Sequence, residues 1–255
     1  MKRHVGEPSP EPVVLSVVCA TRNAAHCIEG LLESYRRERT AESQLIVLDG
    51  ASTDATWDIV MRHRDIVDVA ISEPDTGIYD AWNKGIKLCN GSYAAFIGAD
   101  DRLACGSIGA LVEGCRTTDT DPHIVAGYNI LTRRSVPVVL LGSPFDRSRL
   151  YRRMMIAHVM CAHKLSWLVA VRGFDSSFHS SGDYELLLRE RRSLRVTVIN
   201  HILALMEDGG RSRTGLRPFT ENFRARRKNG YPLWLCAALL FRAMAGLAAR
   251  RLLKL

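Results

Sequence analysis

Hydrophobic and polar positions along the chain alternate between two periods. Residues 13–19 form an apolar run rich in β-branched residues, broken only by Ser16, between Pro12 and the turn residues Thr21, Arg22 and Asn23, which predicts a buried strand. Over residues 25–37 the spacing becomes helical, with Ile28, Leu31, Leu32 and Tyr35 on one side. Residues 44–48 read as a second strand ending at Asp49. Ser52-Thr53-Asp54 then caps a helix carrying Trp57, Ile59, Val60 and Met61. A third strand is predicted over 66–71. A short amphipathic segment with Ile78, Ala81, Trp82 and Ile86 follows, and then an apolar run over 93–97. Further on come a helix ending near Arg116, strands over 124–130 and 195–199, and a charged helix over 221–228. The stretch 132–167 is expected to hold a small strand pair and a loop. Strands alternating with helices predict an α/β domain, a mostly parallel sheet flanked by helices on both faces.

In such sheets ligands bind beyond the strand C-termini, and Thr21, Asp49, Asp100 and Asp101 fall at predicted strand ends. The glycine signature of dinucleotide binding is absent from the first turn, which reads CATRNAA, and no P-loop occurs. Nicotinamide dehydrogenases and P-loop kinases are thereby disfavoured. The adjacent carboxylates Asp100 and Asp101 repel unless a cation sits between them. A divalent ion there would neutralise a bound diphosphate in place of the missing glycine cradle.

Five segments occur in order: VLDGASTDAT, SEPDTGIYDAWNKGI, FIGADD, DYELLLR and Gly209-Gly210-Arg211-Ser212. Together they resemble the family-2 glycosyltransferases, inverting enzymes of GT-A fold, over roughly residues 13–229. The resemblance implies a nucleotide-diphosphate sugar donor, a glycan or lipid-linked hydroxyl acceptor, and Mg²⁺ or Mn²⁺. It implies that Asp49 accepts a hydrogen bond from the nucleotide base beside Thr21, that Asp100 touches the ribose, and that Asp101 ligates the metal. Asn23, Asp80, Lys84 and Arg211 join the donor-binding candidates. Lys84 serves equally well as a surface lysine, and Arg211 as part of a surface hairpin. Asp183 maps onto the family's catalytic base, with Gly182 where Glu or Ala is usual, and Glu185 is the second candidate. Ser180 or Ser181 would cap their helix, whose positive end favours the ionised carboxylate. Two rival readings are a sugar nucleotidyltransferase and a membrane-associated nucleotide-sugar-binding scaffold without catalysis.

Charge divides the chain. Lys and Arg minus Asp and Glu give 12 − 19 = −7 for residues 1–127 and 23 − 8 = +15 for residues 128–255. The acidic half suits a metal, and the basic half an anionic partner. Aromatics interleaved with the basic residues do not stand out, so nucleic acid is not the expected partner. Seven scattered cysteines without a CxxC pair read as reduced thiols, which points to the cytoplasm. His158, Cys161 and His163 are close in sequence but lack a fourth zinc ligand, and core histidines are the expectation. Residues 1–12 are expected to be a flexible tail. Residues 13–229 form the catalytic domain, divided into a donor half (13–130) and an acceptor half (131–229). Residues 230–255 form an amphipathic helix. On a helical wheel Trp234, Ala237, Phe241, Ala245, Ala248, Leu252 and Leu255 share one apolar face, with Arg242, Arg250, Arg251 and Lys254 opposite. That pattern fits a helix lying on an anionic membrane surface, here the inner face of the cytoplasmic membrane, or one docked on protein.

Overall fold

The computed structural model describes residues 1–6, 11–116, 120–208 and 215–252, with side chains up to residue 248. A mixed sheet organises it. The parallel centre consists of β2 (Leu15–Thr21), β3 (Ser43–Asp49), β4 (Val69–Ser72) and β5 (Tyr93–Gly98). Nearly every residue of β2, β3 and β5 is buried, because helices cover both faces. Such strands read as continuous apolar runs rather than alternating ones.

Helices α1 (Ile28–Glu38), α2 (Thr56–Arg62) and α4 (Ser107–Arg116) close one face around Leu31, Tyr35, Val60 and Leu111. On the other face lie α3 (Ile78–Ile86), α5 (Leu165–Ala170), α6 (Gly182–Arg189) and α7 (Arg217–Lys228). Their core includes Trp82, Phe96, Phe174 and Leu187.

The second half of the chain extends the same sheet. The strands β6 (Arg102–Leu103), β7 (Ile124–Arg133), β8 (Val136–Leu141), β9 (Ala162–Lys164) and β10 (Val196–Glu207) belong to it. β9 runs antiparallel between β5 and β7 and joins the two halves. β10 lies parallel to β7, and β8 folds back on β7 as an exposed hairpin arm.

Three expectations are corrected. Residues 2–5 are not part of a loose tail: β1 (Lys2–Val5) pairs antiparallel with β4 and covers its edge. The third strand starts three residues later than predicted, because Ile66 and Val67 are buried in the turn before it. β10 runs to Glu207 rather than ending near Ile199, with register shifts between Val198 and Ala204 that break its apolar pattern.

The last helix, α8 (Leu233–Leu252), packs on α7 through buried Cys236. Trp234, Ala237, Phe241, Met244, Ala245 and Ala248 face outward. Among the described residues no helix is long and apolar enough to cross a membrane.

Candidate active site

The first wall of the site is where β2 and β3 end side by side, Thr21 opposite Asp49. Asp49 is 1% exposed. Ser72 Oγ donates to its Oδ2 at 2.6 Å, Ser52 N–H donates at 3.2 Å, and the Ser52 hydroxyl donates to Oδ1. These bonds fix the carboxylate without neutralising it, so it remains an acceptor for a ligand N–H. The Thr21 hydroxyl is buried, with no partner among the described residues. An orphaned polar group at a strand end is one that a ligand can satisfy. Asn23, at φ 50°, ties the loops together: its side-chain oxygen accepts from Thr53 N–H at 2.9 Å. Of its carboxamide, the NH₂ remains for a donor.

The second wall is the carboxylate pair after β5. Asp100 is exposed, whereas Asp101 is buried and accepts from Gly98 N–H at 3.1 Å. A Cβ at Gly98 would stand 2.7 Å from Asp100 Oδ1 and 3.1 Å from Asp101 Oδ2. The two carboxylates therefore converge over a bare Cα, and a side chain here would push the Asp100 carboxylate aside. Burial, and then the Asp100 charge, push Asp101 up to about 7. Burial and the same pair raise the neighbouring Cys19 and Cys27 thiols. Two hard oxygen ligands, offset only in part by the Arg102 charge, fit Mg²⁺ or Mn²⁺, which complete their coordination with phosphate oxygens and water. Among the described residues no third His, Cys, Asp or Glu joins them into a closed metal cluster.

Two further donor-binding candidates, Lys84 and Asp80, stand nearby and are paired with each other. Lys84 Nζ donates to Pro74 O at 2.8 Å and pairs with Glu73 at 3.0 Å and Asp80 at 3.6 Å. Asp80 also accepts from Thr76 N–H at 3.0 Å. These contacts hold the turn into α3 together. Asp75 lies against Gly50, and burial raises its carboxyl.

The third wall is the start of α6. Neither Ser180 nor Ser181 caps it. Instead Glu221 of α7 accepts from the N–H groups of His179, Ser180 and Ser181 at 2.8–3.1 Å. Asp183 stands in the first turn, partly open, and accepts from the Tyr79 hydroxyl at 3.1 Å. Burial is the main cause that pushes it up to about 6. A Cβ on Gly182 would lie 2.8 Å from the Tyr79 ring, which explains glycine at this position: it lets the tyrosine reach Asp183.

Glu185, the other candidate base, is fully enclosed. It faces Arg189 at 3.6 Å, Lys228 at 3.4 Å and Asn229 at 3.4 Å. Through these contacts it joins α6 to α7. His158 and His163 sit in an aromatic nest with Trp82, Phe96 and Phe174, their rings 4.9 Å apart. Burial pushes His158 down to about 3 and His163 well below its usual range, so both are neutral core residues. Arg211 lies outside the described residues. The sequence reading did not single out Ser72, Tyr79 and Glu221. Their partners lie 23 to 104 residues away, and only the SEPDTGIYD segment around the first two carried a signal.

A parallel sheet with nucleotide-type strand ends, a converging Asp pair and a separate tuned carboxylate defines a glycosyltransferase of the GT-A class. The chain belongs to glycosyl transferase family 2, which matches residues 16–158, more than half its length. It is 26% identical over 187 residues, 69% of each chain, to a PGL/p-HBAD biosynthesis glycosyltransferase of Mycobacterium bovis. A shorter match, 30% over 89 residues, links it to the Escherichia coli UDP-Glc:alpha-D-GlcNAc-diphosphoundecaprenol beta-1,3-glucosyltransferase WfaP; it covers 34% of this chain and 36% of that one. Staphylococcus aureus TarS in complex with UDP-GlcNAc has a similar fold (TM-score 0.68, 15% identity, 89% of this chain and 70% of that one). So does the Pyrobaculum calidifontis mannosyltransferase PcManGT in complex with GDP-Man and Mn2+ (TM-score 0.65, 17% identity, 98% and 79%).

Proposed function

We propose that the chain transfers one sugar from a nucleotide-diphosphate donor to an acceptor hydroxyl, with inversion at the anomeric carbon. The observation that carries this reading is Asp183, a carboxylate partly open and held near 6 by burial. That value suits a general base at neutral pH, ionised yet more basic than an ordinary aspartate. Asp183 takes the acceptor's proton as its oxygen attacks the anomeric carbon. The bond from that carbon to the diphosphate breaks on the opposite side, in one displacement.

Thr21 and Asp49 bind the nucleotide base and Asp100 the ribose. Asp100 and Asp101 would hold Mg²⁺ or Mn²⁺, which supplies charge neutralisation for the departing diphosphate. The relatives named for a diphosphoundecaprenol-linked sugar and for teichuronic acid biosynthesis support an acceptor that is lipid-linked or part of a surface polysaccharide. The outward face of α8, with Trp234 72% and Phe241 77% exposed, supports peripheral attachment to the inner face of the cytoplasmic membrane.

Calorimetric binding of UDP, GDP and TDP, with and without Mn²⁺, tests the donor site. One nucleotide should bind in a metal-dependent way, and Asp101→Ala should lose it. Transfer from the matching nucleotide sugar, with the product's anomeric configuration read by NMR, tests inversion. A retained configuration would refute the single displacement.

A further inference from the structure

Four guanidinium groups line one open cleft of about 330 Å³: Arg149, Arg152 and Arg153 from one turn, and Arg242 from α8. This volume lies within the roughly 300–1,000 Å³ of small-ligand sites. Charge there is poorly balanced. Arg149 pairs with Asp146 at 3.0 Å, and Arg152 Nε donates to the Tyr151 hydroxyl at 2.7 Å. Among the described residues no carboxylate pairs with Arg152, Arg153 or Arg242. Like charges gathered without counter-ions repel, and a cleft walled by them concentrates a positive field.

The walls are braced. The Tyr184 hydroxyl lies 2.8 Å from Leu150 O and 3.0 Å from Tyr151 O, and Arg226 donates to Tyr151 O at 2.6 Å and Arg152 O at 3.1 Å. Tyr151 stacks on Tyr231 at the approach to α8, ring centroids 6.1 Å apart. The arginine-bearing turn is thus fixed both to the residue after Asp183 and to the start of the helix that supplies Arg242.

The surroundings select the ligand. Guanidinium forks pair bidentately with phosphate oxygens. Arg242 flanks the outward apolar face of α8, one helical turn from Ala238 and next to Phe241. A ligand filling both features carries a phosphate at one end and a hydrocarbon chain at the other. A single-stranded nucleic acid would stack its bases on aromatic faces beside the arginines; Tyr151 is already stacked, and the exposed Phe241 and Trp234 lie on the apolar face of α8 among aliphatic side chains.

We propose that the cleft formed by Arg149, Arg152, Arg153 and Arg242 binds the phosphate of a membrane lipid, whose chain lies along the exposed face of α8. This inference rests on the reading of α8 as membrane-facing but not on the transfer reaction. In a lipid-linked acceptor, the bracing through Tyr184 would set that phosphate in register with Asp183.

The test measures co-sedimentation of the full chain with phosphatidylcholine vesicles carrying either phosphatidic acid or oleate, matched in zeta potential. The wild type should bind the phosphatidic acid vesicles about tenfold more tightly than the oleate vesicles. Arg153→Gln with Arg242→Gln removes two arginines that make no intramolecular ion pair. It should lower binding to phosphatidic acid about 30-fold at low salt and abolish the preference, with an unchanged melting temperature. Asp101→Ala should bind both vesicles like the wild type, which separates this site from the donor site. Equal wild-type binding to the two vesicle types, or no loss in the double variant, would overturn the proposal. So would binding of inorganic diphosphate or single-stranded RNA without phosphatidic acid binding.

Discussion

The Tyr79 hydroxyl sets how basic Asp183 is, and Tyr79→Phe tests this with one atom. The tyrosine's own ionisation is pushed well above its usual range by burial and by the Asp183 charge, so it stays protonated and donates. Phenylalanine keeps the ring against Gly182 and deletes the donor 3.1 Å from Asp183 Oδ1. A hydrogen bond to a charged group contributes about 1.5–3 kcal/mol, or roughly 1–2 pH units of acidity. Asp183 should therefore rise from about 6 to about 7–8. The assay is kcat/KM against pH at saturating Mn²⁺, which keeps Asp101 ionised so that the acid limb reports Asp183. The wild-type profile should climb with unit slope and level off above about 6. The variant's limb should move up by one to two units. Its activity should fall about 2- to 10-fold at pH 7 and return to the plateau at high pH. A uniform drop at every pH, or a limb that stays near 6, would refute the assignment of Asp183 as base and Tyr79 as its regulator.

Three further outcomes follow from the same geometry. Asp183→Asn should lower kcat by about 10²–10⁴-fold. Because folding raises this carboxyl, the stability it contributes is present below about pH 4 and lost as pH rises through about 6. The wild type should thus lose up to about 3 kcal/mol relative to Asp183→Asn over that window in denaturant titrations. Glu185→Gln should show the reverse pattern: a stability loss of about 1–3 kcal/mol with kcat within a few-fold, and an inactive but fully stable variant would restore Glu185 as a candidate base. Gly98→Ala forces a Cβ to 2.7 Å from Asp100 Oδ1. At about 1–3 kcal/mol of overpacking, it should weaken Mn²⁺-dependent nucleotide binding about 5- to 150-fold by calorimetry. Unchanged affinity would mean that the two carboxylates need not converge.

The sheet centre was legible because β2, β3 and β5 are covered on both sides and therefore spell continuous apolar runs. β1 was not, because an edge strand can be polar: Lys2, Arg3 and His4 carry no hydrophobic signal. Asp49, Asp100, Asp101 and Asp183 were picked out by their motifs, and each lies at a strand end or in a first helical turn. Lys84, Asp80 and Glu185 share those motifs, but their surroundings were not legible in them. What decides their role is the identity of their partners, and Glu73 and Lys228 become neighbours only through tertiary packing. The cap on α6 was hidden for the same reason. A serine at the right position is a local signal, whereas Glu221 arrives from 40 residues downstream.

The Tyr79–Asp183 bond joins residues 104 apart, and this bears on how the enzyme assembles. Every described side chain assigned to the nucleotide comes from the first 101 residues, yet the assigned base comes from a helix that folds against them from the other half. Long-range closure of this kind is slow compared with local structure. A molecule whose first half has folded can therefore have a nucleotide pocket before it has a tuned base. Binding of a nucleotide reports the first event, and the position of the acid limb reports the second. A preparation can pass one criterion and fail the other, and the fraction that passes both is the fraction that has finished folding.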